Sequence, residues 1–119
     1  MPKTATPLYL VYGGDALDAF LYRIVGRCPP VVEDFLSYEA LGKRYDRRDF
    51  FKGTGVSMHT TRERSIAVAR RFRTGGVIAT LGLRGAHLAW ATTGPRDHIT
   101  VWAPAEQLLE RVVQCRGHE

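Results

Sequence analysis

Ser57, His59, Thr60 and Thr61 crowd the point where GVSMH, residues 55–59, runs into TRERSIAVARRF. Hydroxyls and an imidazole at such a junction can hydrogen-bond a ligand, and an imidazole can move a proton near neutral pH. Side chains alternate along a strand, so Ser57 and His59 share one face. Fully buried, both would need hydrogen-bond partners, and the wall of a cleft is the more economical setting. Thr60 with Glu63 three residues on also matches a capping box, in which the threonine oxygen accepts the N3 amide proton and the glutamate reaches back. That accounts for Thr60 or Thr61 as helix starters without any chemistry, but it leaves Ser57 and His59 unexplained.

Two other positions carry similar groups. Arg23 stands in the middle of LYRIV, where an arginine buried without a partner is costly. It must lie at an edge, reach water or face an anion. His98 opens HITVW, and the triplets His59-Thr60-Thr61 and His98-Ile99-Thr100 have the same H-x-T form. On neighbouring strands they would set two imidazoles around a phosphodiester, one as general base and one as general acid, with threonines on the phosphate oxygens. In this the chain resembles the two-histidine phosphoesterases.

The elements that must position these groups follow from pattern. LYLVY (8–12) is strand-like and ends at Gly13 and Gly14. DALDAFLYRIVG enters a strand at 21–25, which Cys28-Pro29-Pro30 ends. EDFLSYEALGKR (33–44) has acids first and bases last, as suits a helix dipole, with Gly42 as a stop. A basic loop follows at 45–53. A strand at 55–59 leads into a helix at 61–72. VIATLGLR (77–84) and HLAWATTG (87–94) read as strands and a candidate hairpin. HITVW (98–102) is a strand, and Pro104 opens a helix PAEQLLERVV with Leu108, Leu109, Val112 and Val113 on one side. Strands and helices mixed in this order, several strands being adjacent, predict a single α+β domain over 1–119 with residues 1–7 frayed.

Composition narrows the function classes. The chain has 119 residues and is 45% hydrophobic, which fits a globular domain and not a disordered one. Its apolar runs fall short of the ~20 residues of a membrane helix. The opening MPKTATPLYLVYGGD lacks the apolar stretch and cleavage site of a secretory signal, so a cytoplasmic address without membrane contact is expected. Cys28 and Cys115 belong to no C-x-x-C pair, which removes zinc and thioredoxin-like readings and leaves an expectation of reduced thiols and no metal. The net charge is +5, and 14 of the 17 basic side chains are arginine. The guanidinium fork suits phosphate, so the ligand classes are nucleotide, nucleic acid or an acidic or phosphorylated protein. A basic module that binds RNA or an acidic protein without catalysis is one reading of that charge.

An early strand with a central Arg23, a later strand GVSMHTT leading into a helix, and a final DHITVW together resemble the small ADP-ribosyltransferase-like proteins, including their toxin relatives. The resemblance covers about residues 21–113. It implies a split sheet with short flanking helices, NAD as substrate, and an antitoxin as a possible partner. It implies that Arg23 holds the NAD phosphate or ribose and that Ser57 hydrogen-bonds near the nicotinamide ribose. His98 falls near the position of the family's late glutamate. No E-x-E stands there, Asp97 is the nearest acid and Glu106 lies in the expected last helix, so the third role passes to Asp97 or His98. His59 and Tyr38 complete the expected NAD site, with Tyr38 or Phe35 as a stacking surface. Cleavage of the nicotinamide–ribose bond develops oxocarbenium character, so the pocket must fix the pyrophosphate with cations and leave an acceptor near the sugar.

Overall fold

β1 (Phe20–Val25) runs through the middle of a six-stranded, wholly antiparallel sheet of order β4-β5-β2-β1-β3-β6. The other strands are β2 (Val56–His59), β3 (Val77–Gly82), β4 (Ala89–Thr92), β5 (His98–Trp102) and β6 (Val112–Gly117). Two helices complete the α+β architecture, α1 (Arg62–Phe72) and α2 (Ala105–Glu110), with a 3₁₀ turn at Val32–Phe35. The structure, a computed structural model, describes residues 19–44, 53–72, 76–93 and 97–117. The expected strand at 8–12 and most of the basic loop at 45–53 lie outside the described residues.

Alternation sorts the sheet into two faces. Leu21 and Val25 of β1, Val56 and Met58 of β2, Ala79 and Leu81 of β3, and Ile99 and Val101 of β5 form one buried face. Phe35 of the 3₁₀ turn, Leu83, Leu88 and Leu108 of α2 close the core over it. The opposite face carries Ser57, His59, His98 and Thr100, and α1 packs there against β1, β2 and β3. Small residues on the buried stripe of α1, Ser65 and Ala69, let it lie close to the sheet.

The sheet is uneven in cohesion. β1 pairs with β3 along its whole length, from Phe20↔Gly82 to Val25↔Val77, and β2 pairs with β5 from Val56↔Val101 to His59↔His98. Between β1 and β2 a single bridged pair, Tyr22↔His59, joins β1-β3-β6 to β2-β5-β4.

Several expectations are corrected. The segment 33–44 makes only the short 3₁₀ turn and loose turns, not a helix. Ser37 Oγ accepts the amide proton of Ala40, and Gly42 adopts a positive φ of 70°, so turn chemistry prevails there. β3 and β4 are not a hairpin: β4 pairs only with β5, at the far end of the sheet from β3, which pairs with β1 and β6. The last helix ends at Glu110, and Val112–Gly117 becomes an edge strand on β3, as its β-branched start favours. Thr61, not Thr60, caps α1, its Oγ1 accepting the amide proton of Arg64 at 3.1 Å.

The cysteines, expected as reduced thiols, are joined. Cys28 and Cys115 form a disulfide with Cα atoms 5.8 Å apart across a sequence separation of 87. Cys115 stands level with Arg23 in the register Arg23↔Ala79↔Cys115. The bond therefore pins the segment after β1 to the outermost strand. Among the described residues, no helix is long and apolar enough to cross a membrane.

Candidate functional site

Arg23 follows Leu21 on the core face, and its guanidinium goes where β1 and β2 part. Nε donates to the main-chain carbonyl of Asp34 at 2.7 Å, and Nη1 donates to that of Ser57 at 2.7 Å. The side chain thus replaces the backbone ladder that the two strands lack. Burial is the main cause that lowers its pKa from 12.5 to about 10, and the charges of Tyr38 and Asp34 act in the opposite sense. It stays a cation at neutral pH. A guanidinium has five N–H donors, so three remain after these two bonds.

Asp34 organises the loop that holds this arrangement. Its carboxylate accepts the amide protons of Gly26 at 3.2 Å and Val31 at 2.8 Å, and it pairs with Arg27 at 3.5 Å.

On the other side of the opening stand two imidazoles. His59 is 7% exposed, and its Nδ1 lies 2.8 Å from Oγ of Ser65, a fully buried hydroxyl on α1. His98 Nδ1 lies 2.8 Å from Oγ1 of Thr93, which is itself 2.6 Å from Oγ1 of Thr100. The two rings meet edge to face with centroids 5.6 Å apart. Each Nδ1 is engaged by a hydroxyl, which fixes the orientation of both rings at the cleft. Burial lowers the His59 pKa to about 4, with further lowering by His98, Arg64 and Arg23 against a smaller opposing effect of Asp97. His59 is therefore neutral at pH 7.

Arg23, Ser57, His59, His98 and Tyr38 line one cleft of about 930 Å³ at this opening. Lys43, Arg64, Arg71 and Phe72 also border it, so among the described residues four cationic side chains and no carboxylate line the space. Asp97 is not part of the lining. Its carboxylate accepts the Thr60 hydroxyl proton at 3.2 Å and pairs with Arg64 at 3.6 Å, which makes it a support for the cleft wall. Among the described residues, no group of three His, Cys, Asp or Glu side chains is placed to hold a metal.

Reasoning from sequence did not reach Ser65, Thr93 or Phe72. Ser65 has a visible signal: it precedes Ala69 by four positions on the inward stripe of α1, where a lone hydroxyl requires a partner. Thr93 and Phe72 carry no such mark, because each sits at the end of an element.

Compared with protein-family models, curated proteins and solved structures, the chain matches none of them.

Proposed function

We propose that the cleft binds NAD and that the chain is an ADP-ribosyltransferase-like protein, acting on the nicotinamide–ribose bond by transfer or hydrolysis. The observation that carries this reading is that Arg23, Ser57 and His98, from three different strands, line a single cationic cleft at the break in the sheet. The one-bridge junction between the two halves of the sheet supports the split architecture that the reading requires.

Chemistry follows from charge placement. Arg23 and its neighbouring cations hold the pyrophosphate, and Ser57 accepts or donates a hydrogen bond at the ribose. Cleavage sends the bonding pair of the C1′–N bond to nicotinamide, which leaves neutral. Water or an acceptor hydroxyl then adds at C1′. With Asp97 held by Thr60 and Arg64, the proton acceptor near the sugar is the neutral imidazole of His59, and His98 beside it orients the ring and the substrate. An antitoxin or another acidic protein would complement the +5 charge of the chain. The disulfide bears on the address: such bonds persist in oxidising compartments, which places it at odds with the cytoplasmic one expected from sequence.

Nicotinamide release from NAD tests the reading. Wild type releases it, and His98→Ala and Arg23→Lys release it at least tenfold more slowly. No release, together with no NAD-induced thermal shift, rejects it.

One observation favours a second reading. Two hydroxyl-anchored imidazoles 5.6 Å apart in a cationic cleft also suit phosphodiester cleavage, with His59 as base and His98 as acid. Hydrolysis of a cyclic phosphodiester abolished by either His59→Ala or His98→Ala would select it.

A further inference from the structure

Cations explain how the cleft takes phosphate, but not what its two exposed rings meet, of which Tyr38 is a stacking surface expected from sequence and Phe72 is not. Tyr38 is 53% exposed and Phe72 is 61% exposed, and both border the same cleft. Exposed apolar surface gathered at a groove, rather than scattered singly, marks a contact surface. Their surroundings say for what.

Each ring comes with a cation. The amide of Lys43 donates to the carbonyl of Tyr38 at 2.9 Å, which closes the turn, and Lys43 lines the same cleft. Arg71 precedes Phe72 at the end of α1, and its guanidinium carbon stands 5.2 Å from the centre of the Phe72 ring. Tyr38 follows the 3₁₀ turn and Phe72 ends α1. The cleft therefore has two rings and two cations brought to it by different elements.

An inorganic anion, a phosphosugar or a phosphorylated side chain would use the cations and leave both rings in water. A nucleotide uses both, because a base offers a π face that an aromatic side chain or a guanidinium can cover. From this pairing we infer that Tyr38 and Phe72 form a base-stacking rim, and that the ligand of the cleft is a nucleotide recognised by its base as well as by its phosphate. This deepens the NAD reading by assigning the base a place. It rests on that reading only in taking the cleft as the ligand site, since a phosphodiester substrate would bring a base to the same rim.

AMP and ribose 5-phosphate differ by the base alone, and their affinities, measured by calorimetry, isolate the rim. Wild type binds AMP about tenfold more tightly than ribose 5-phosphate, or ~1.4 kcal/mol for one stacked base. Phe72→Ala and Tyr38→Ala each shrink that ratio, the double variant brings it close to one, and Phe72→Trp keeps it. Ribose 5-phosphate affinity stays the same in all four variants, which separates lost stacking from misfolding. Equal affinity of wild type for the two ligands, failure to bind either, or a ratio untouched in the double variant overturns the inference. Absence of nicotinamide release with the AMP preference intact removes the NAD reading and leaves the rim standing.

Discussion

The Nδ1 of His59 and the Oγ of Ser65 lie 2.8 Å apart, a buried hydrogen bond that locks β2 to α1 and fixes which ring nitrogen can act. Ser65→Ala leaves the imidazole nitrogen without this partner inside the protein. The expected cost is about 1–3 kcal/mol, the penalty of a buried polar group left unsatisfied. Urea unfolding at pH 7.5 reads it, and a loss below ~0.5 kcal/mol would mean that the pair contributes little.

The same imidazole makes stability depend on pH. Its folded pKa is about 4, against 6.5 for an ordinary histidine, because burial penalises the charged form. Between those values the unfolded chain binds a proton that the folded one refuses. The contribution of His59 is complete above pH 6.5, falls as pH drops toward 4, and is gone below it. The difference reaches up to about 3 kcal/mol. Unfolding curves of wild type and His59→Gln compared across this window isolate it, since the carboxylates titrate in both. A parallel pair of curves contradicts the assignment.

Arg23 has a structural task besides any role toward a ligand. Arg23→Ala deprives the carbonyls of Asp34 and Ser57 of their donor where the two halves of the sheet meet. A hydrogen bond to a charged group contributes about 1.5–3 kcal/mol, and the cost of burying the guanidinium offsets part of that for the two together. The net loss is expected near 2 kcal/mol, with Arg23→Lys intermediate. Hydrogen exchange of β1 and β2 amides rises in Arg23→Ala more than exchange of β3 does; uniform protection across the sheet would show that the side chain is not what holds the junction.

Reduction of Cys28–Cys115 releases a long loop. For a separation of 87 residues, chain entropy puts the loss at about 4.6 kcal/mol. Denaturation midpoints with and without a reducing agent measure it, and the Cys28→Ser/Cys115→Ser double variant should be insensitive to the reductant.

Gly55 precedes β2, and a Cβ there would overlap the Cγ2 of Thr100 and press on the Trp102 ring. Gly55→Ala is expected to cost about 1–3 kcal/mol as overpacking. Thr100→Ser, which removes that methyl, should recover part of the loss when the two are combined, as a double-mutant cycle would register.

What could be read from the chain divides along physical lines. β1, β2, α1 and β5 each combine a clean period with a punctuating residue, and their places follow from Pro29, Thr61 or Pro104. Arg23, Ser57, His59 and His98 drew attention because a polar group on an apolar strand needs a reason, and that reason is local. Pairing is not local. Nothing in VIATLGLR or HLAWATTG tells that β3 turns to β1 while β4 goes to the opposite end of the sheet. Val112 and Val113 fit a helical stripe as well as a strand, and the free edge of β3 decides between them. The Cys28–Cys115 bond depends on both facts, because it needs β6 beside β3 before the two thiols can meet. Phe72 is not legible as a site residue, because a ring at the end of a helix reads as one more apolar residue until the cleft beside it is known.

The junction of β1 with β2 has a mechanical consequence. One bridged pair and one guanidinium link two three-stranded leaves along a seam that also borders the cleft, with α1 packed across it on one face. Any anion that settles on the outer donors of Arg23 also steadies the cation that grips both leaves. Occupancy and rigidity of the seam then rise together, and the filled protein should resist proteolysis at the seam longer than the empty one.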